Sequence, residues 1–179
     1  MDYTERPTRR VNSYHGVVVE VTADLVRLPN GATGIREVVH HPGGVCVAAV
    51  DGQGNVAVVR QFRYPFGAHL LELPAGKLEP GEDPFLAAQR ELSEETGLEA
   101  GQWTDLGFIY VSPGISTETL YLYLATDLRQ GRAHPDPNEF LDVERMPLAE
   151  LVQMASDGRI HDAKTVVGAL KAQAFLGRN

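Results

Sequence analysis

One stretch limits the folds open to this chain more than any other: Asp83 and Pro84 followed by an unbroken run to Gly97. Asp is a preferred N-cap, Pro suits the first helical position and Gly the C-terminal cap, so these signals predict a helix over residues 84–96. Strand-like stretches stand on both sides. Before the helix come VCVAAVDGQGNVAVVRQFRYP, read as two strands joined at DGQGN, and LLELPAG, read as one strand. After it come WTDLGFIYVSPG and TETLYLYLATDL as strands about a Ser112, Pro113, Gly114 loop, then FLDVERMP as a late strand. PLAELVQMASDG and DAKTVVGALKAQAFL have helical spacing. Strands, helix, strands and two helices specify an α/β layer sandwich around a mixed sheet. Ahead of this, YHGVVVEV and IREVVHH flank the turn signal PNG, which predicts a small antiparallel β segment within residues 14–40. The expected organisation is an N-terminal β segment, 1–40, followed by a main domain, 41–179.

The charge on the helix is placed against its dipole. Glu91, Glu94 and Glu95 crowd its last turn and a half, where the macrodipole is already negative. At about 100° per residue, Glu95 falls near 40° and Glu94 near −60° from Glu91, while Phe85, Ala88 and Leu92 occupy the adjoining arc. The carboxylates therefore share one face. Hard divalent cations take oxygen ligands, and magnesium is held by a few carboxylates together with substrate phosphates and water. Arg90, next to the cluster, is placed to pair with one carboxylate and orient it. A solvated acidic helix is the plainer alternative.

Net charge sharpens the choice. Of a total of −8, residues 72–99 contribute eight acids against two bases. Such an acidic focus argues against a nucleic-acid partner, whose phosphates call for a Lys/Arg-rich face. No run of about 18 apolar residues occurs, so no membrane span is expected, and the start MDYTERPTRR lacks an apolar signal core, which predicts a cytoplasmic protein. The single cysteine, Cys46, sits in an apolar run and reads as a small buried residue. The six histidines show no metal-ligand spacing, and Trp103 and the YLYL tyrosines read as core or interface.

Gly76, five residues, Glu82, seven residues, then Arg90-Glu91-Leu92-Ser93-Glu94-Glu95-Thr96-Gly97-Leu98 resembles the Nudix box, G-x5-E-x7-R-E-U-x-E-E-x-G-U with U apolar, at every fixed position. The likeness extends over most of the chain from about His41. Pro113 lies sixteen residues after Gly97, and RQFRYP, LELPAG and SPGISTE flank the box, as in the ADP-ribose pyrophosphatase branch of that superfamily.

The resemblance implies a Nudix-type α/β/α sandwich and metal-dependent hydrolysis of a nucleoside diphosphate sugar, here ADP-ribose, to AMP and ribose 5-phosphate. It implies Mg2+, with Mn2+ as a substitute, held by Glu91, Glu94, Glu95 and the carbonyl of Ala75. Arg63 and Arg60 are implied as phosphate or substrate contacts, against a plainer reading as surface cations. A homodimer is implied in which the N-terminal segment completes the partner's site, with Arg36 and Glu37 touching adenine. Glu139, at the end of the loop-like RQGRAHPDPNE, is the implied general base, with Glu118 as the competing candidate or a substrate-ribose contact. Glu82 reads as loop structure or metal ligand, and Glu72 as a site residue or a partner for backbone. Ile115, Thr117, Pro137 and Asn138 depart from the usual pattern in two loops that bear on substrate choice. A broader nucleoside diphosphate sugar hydrolase acting on GDP-mannose is the alternative, and a non-catalytic Nudix-like binding module is a third reading.

Overall fold

A computed structural model describes residues 2–134 and 140–178, which divide into two compact units. The first is Met1–Gly43 with Tyr110–Thr119; the second is Gly44–Ile109 with Leu120–Asn179. No helix among the described residues is long and apolar enough to cross a membrane.

The first unit is a meander of β1 (Arg6–His15), β2 (Glu20–Arg27) and β3 (Thr33–His40), antiparallel throughout. β1 begins eight residues ahead of the expected segment, at Arg6 rather than residue 14. Its side chains are exposed along the whole strand, so no apolar alternation marks it in sequence. Cross-strand pairing supplies what periodicity does not: Arg10 Nε donates to Asp24 Oδ1 at 3.0 Å, and the Thr8 hydroxyl donates to the Leu25 carbonyl at 3.0 Å. The Ser112–Pro113–Gly114 loop belongs to this unit as well. Val39 N donates to Ile115 O at 2.7 Å and Thr117 N to Val39 O at 3.0 Å, hooking the loop onto β3.

The second unit is built on two sheets. One runs β7 (Ala75–Lys77), β4 (Gly44–Ala49), β9 (Thr119–Gln130), β8 (Leu98–Tyr110); the other runs β10 (Leu141–Pro147), β5 (Asn55–Arg63), β6 (Ala68–Glu72). β4 lies parallel to β9 and antiparallel to β7, so the first sheet is mixed. Side chains alternate across β4. Cys46 and Ala48 pack with Leu122, Leu124 and the helices α2 (Leu148–Ser156) and α3 (Ala163–Leu176), while Val45, Val47 and Ala49 pack with Ala88 and Leu92 of α1 (Pro84–Thr96). The mixed sheet therefore lies between α1 and the α2, α3 pair, the expected α/β/α layering. Leu73, Leu92 and Leu122 are fully buried in these two layers, and burying one such side chain contributes about 1.5–3 kcal/mol. Trp103 and Tyr123 join the α1 layer through ring contacts with each other and with Phe85, edge-on for Trp103 and tilted between Tyr123 and Phe85. Of the two expected settings, core or interface, Tyr123 takes the core and Trp103 packs half-buried against it.

LLELPAG differs from expectation: it is two strands in two sheets, β6 ending at Glu72 and β7 starting at Ala75. Pro74 has no N–H to continue a ladder. Leu73 N finds a side-chain acceptor instead, the Thr165 hydroxyl at 2.8 Å, while Pro74 O accepts from Val47 N at 2.9 Å. The chain crosses from one sheet to the other at this point, and the box helix follows.

Candidate active site

α1 has the predicted boundaries and caps. Asp83 accepts from Phe85 N at 2.9 Å and Leu86 N at 3.2 Å, and Gly97 closes the helix with φ 70°, a left-handed conformation that favours glycine. No basic residue lies in the last turn to meet the dipole.

The glutamates do not form a solvated face. Glu91 is 7% exposed and Glu95 2%, so two charges of the box are buried against β7. Ala75 N donates to Glu95 Oε2 at 3.1 Å. At Gly76 the approach is closer: a Cβ there would stand 1.9 Å from Glu91 Cδ and 2.0 Å from its Oε1. Only glycine lets that carboxylate lie against the strand. Burying a carboxylate is costly without compensation.

Arg90 supplies much of that compensation and does more than orient one carboxylate. Its Nε and Nη2 reach Glu82 Oε1 and Oε2 at 2.8 and 3.0 Å, and its Nη1 reaches Glu91 Oε1 at 2.8 Å and Glu94 Oε2 at 2.9 Å. Three box glutamates are held by one guanidinium. The Glu82 hydrogen bonds, against the opposing effect of burial and with help from Glu91 and Glu94, hold Arg90 far above its ordinary pKa, so it is a fixed charge. The same Arg90 bonds hold the Glu82 carboxyl below its usual range. Glu82 Oε2 also accepts from Glu79 N at 2.9 Å, which orders the loop before α1. Among the described residues no three His, Cys, Asp or Glu side chains form a ready-made cation cage. The donor chemistry nevertheless fits a hard divalent ion: Glu91 and Glu95 bring carboxylate oxygens to the strand that carries Ala75, and Glu94 shares Arg90 with Glu91.

A second charged set stands at the end of β6. Glu72, 1% exposed, accepts a two-bond fork from Arg63, Nε and Nη2 each at 2.7 Å, and a further bond from Lys164 Nζ. Burial pushes the Glu72 carboxyl up, but Arg63 and Lys164 outweigh it and the net shift is downward. Arg63 is shifted upward, chiefly by the Glu72 bond and against the opposing effect of burial, with smaller help from the charges of Asp162 and Glu95. Arg60 has a different setting. It pairs across strands with Leu71, whereas Glu72 pairs with Val59, so Arg60 and Arg63 leave β5 on opposite faces. Arg60 Nε is held by Glu144 Oε1 at 2.8 Å.

Three more of the expected residues belong to the first unit. Arg36 and Glu37 are exposed on β3 of the first unit, and Arg36 is paired with Glu5. Glu118 is also in that unit, its N–H donating to Ser116 Oγ at 3.1 Å and its carboxylate 3.9 Å from His41 Nδ1. Glu139 lies outside the described residues. Burial pushes the Cys46 thiol up to about 12, consistent with an inert core residue. Sequence reasoning passed over Lys164 and Asp162. Asp162 could have been found as the N-cap of α3; no local signal places Lys164 beside a carboxylate 92 residues away.

Buried helix glutamates set against a glycine-bearing strand define a class of site, and residues 40–167 match the NUDIX domain. The chain belongs to the NUDIX family. It is 37% identical over 163 residues to an ADP-ribose pyrophosphatase of Bacillus subtilis (strain 168), covering 90% of this chain and 88% of the relative. It is 41% identical over 167 residues to a methanol dehydrogenase activator of Bacillus methanolicus, covering 92% and 90%. A GDP-mannose pyrophosphatase of Yersinia pestis (strain Pestoides F) is 32% identical over 149 residues, covering 74% and 72%. In fold, the chain resembles a crystal structure of an ADP compounds hydrolase with a TM-score of 0.81 at 23% identity, covering 97% of this chain and 95% of that one.

Proposed function

We propose that this NUDIX protein hydrolyses the diphosphate bond of ADP-ribose, giving AMP and ribose 5-phosphate, with Mg2+ as the divalent ion and Mn2+ as a substitute. One observation carries the reading: Glu91 and Glu95 of an intact box are buried against Gly76 and Ala75, a disposition with no use in a merely solvated helix. Near-full-length similarity to an ADP-ribose pyrophosphatase favours this substrate over GDP-mannose, whose relative matches less of the chain.

Glu91, Glu94, Glu95 and the Ala75 carbonyl would hold the ion, which when bound neutralises phosphoryl charge and acidifies water. The chain's own groups do the rest. Arg63, anchored on Glu72, presents a fixed positive charge to a phosphoryl oxygen, and Arg60 is the second candidate contact from the other face of β5. A water oxygen forms a bond to one phosphorus, the bridging P–O bond breaks, and the water proton passes to a carboxylate. Glu139 is the proposed acceptor, with Glu118 its competitor. Two phosphomonoesters leave.

The proposed assembly is a homodimer in which each copy's first unit completes the other's site and brings Arg36 and Glu37 to adenine. A β1 exposed along its whole length supports a covering partner, since a bare edge strand pairs readily. Initial rates across a panel of ADP-ribose, GDP-mannose and other nucleoside diphosphate sugars with Mg2+ test the substrate, and light scattering at micromolar protein tests the dimer. The highest kcat/KM is expected for ADP-ribose. Preference for GDP-mannose would select the alternative, and no turnover of any member would leave a binding module.

A further inference from the structure

Glu72 is buried almost completely, so its charge must be matched where it stands. Arg63 does this from the more open side, with a side chain 36% exposed, and Lys164 from the interior, with a side chain 12% exposed. Lys164 Nζ is itself shared, donating to Asp162 Oδ1 at 2.9 Å. Asp162 is immobilised as the N-cap of α3, accepting from Thr165 N at 3.0 Å and from the Thr165 hydroxyl. That hydroxyl in turn accepts Leu73 N–H. The start of α3 thus grips residues 72 and 73 at two points. Arg63 engages Glu72 through Nε and Nη2, and its Nη1 has no hydrogen-bond acceptor among the described residues.

We infer that Lys164 is a positioning residue for Arg63: it holds the Glu72 carboxylate turned toward the Arg63 fork, which leaves the Nη1 edge for a phosphoryl oxygen of the substrate. The inference rests on the proposed role of Arg63 as a phosphate contact; Lys164 itself touches no substrate. The reason is charge balance. Two cations and two carboxylates meet here, and Arg63 already interacts electrostatically with Asp162. Without the ammonium, Glu72 and Asp162 compete for one guanidinium, which turns to serve both. The fork on Glu72 opens and Nη1 is drawn inward. Nothing on α1 substitutes, because its cation, Arg90, is committed to Glu82, Glu91 and Glu94.

The test uses Lys164→Met, with Lys164→Gln as a milder variant that keeps a donor for Glu72, each in wild-type and Arg63→Gln backgrounds. In the wild-type background kcat/KM for ADP-ribose should fall about tenfold or more, less for Gln than for Met; in Arg63→Gln the further loss should be under about twofold, the non-additivity of residues acting through one another. A second readout needs no turnover. The Arg63 Nε–H resonance, assigned by its loss in Arg63→Lys, should exchange slowly with water in wild type and rapidly in Lys164→Met, with Lys164→Gln between. Equal losses in both backgrounds, or an unchanged Arg63 resonance in folded Lys164→Met, overturn the inference. If wild type leaves ADP-ribose intact while the resonance still depends on Lys164, the substrate reading fails and the positioning role stands.

Discussion

Gly76 and Glu91 are in contact by virtue of an atom that glycine lacks: the Glu91 carboxylate fills the space a Cβ at position 76 would take, 1.9 Å from its Cδ. Gly76→Ala must therefore push the carboxylate off β7 or shift the strand. Overpacking of this kind costs about 1–3 kcal/mol. The expected outcome is a folded protein with a modestly lower Tm and little hydrolysis, checked by thermal melts alongside ADP-ribose turnover. Full activity in Gly76→Ala would show that Glu91 need not lie against the strand.

Glu95→Gln keeps shape and an acceptor for Ala75 N–H while removing one negative charge from the oxygen set. Loss of such a group should lower kcat by about 10² or more with a far smaller change in stability. Thorough chelation should abolish wild-type turnover, with Mg2+ restoring it. A Glu95→Gln rate within about threefold of wild type would remove Glu95 from the proposed ligand set.

Glu72 gives the fold a defined response to acid. Its folded carboxyl lies below the ordinary 4.5, since the bonds and charges of Arg63 and Lys164 outweigh burial. In the window below that value the unfolded chain binds the proton more readily than the folded one. The stabilisation is therefore complete above 4.5 and is lost as pH falls through the folded value. Glu72→Gln should cost about 3 kcal/mol at neutral pH, because it leaves Arg63 and Lys164 without their shared carboxylate. The Tm difference from wild type should shrink between neutral pH and about pH 3.5, a comparison that circular dichroism melts at both values provide. A constant difference would show that Glu72 does not titrate differently in the two states.

The proton acceptor is decided by comparing Glu139→Gln with Glu118→Gln at saturating ADP-ribose and Mg2+. Removing a general base costs about 10² to 10⁴ in kcat with KM largely kept. The large loss is expected in Glu139→Gln. If Glu118→Gln shows it instead, the two roles exchange.

Local chemistry determined α1 down to its end residues, because Asp83, Pro84 and Gly97 act on the backbone within a turn of themselves. Apolar runs likewise marked most strands of the second unit, and the spacing from Gly76 to Leu98 marked the candidate site. β1 was missed before residue 14 because a fully exposed edge strand has no apolar alternation, and its pairing with β2 is what makes it a strand. LLELPAG looked continuous until Pro74 and the Thr165 hydroxyl divided it between two sheets. Helical angles put Glu91, Glu94 and Glu95 on one face, but only packing against β7 decided that Glu91 and Glu95 are buried and Glu94 less so. Tertiary structure alone assembled Arg63, Glu72, Asp162 and Lys164. Their charges are brought together by the docking of α3 on the end of β6, and a contact between residues 72 and 164 has no local signature because it forms only when two layers close on the sheet.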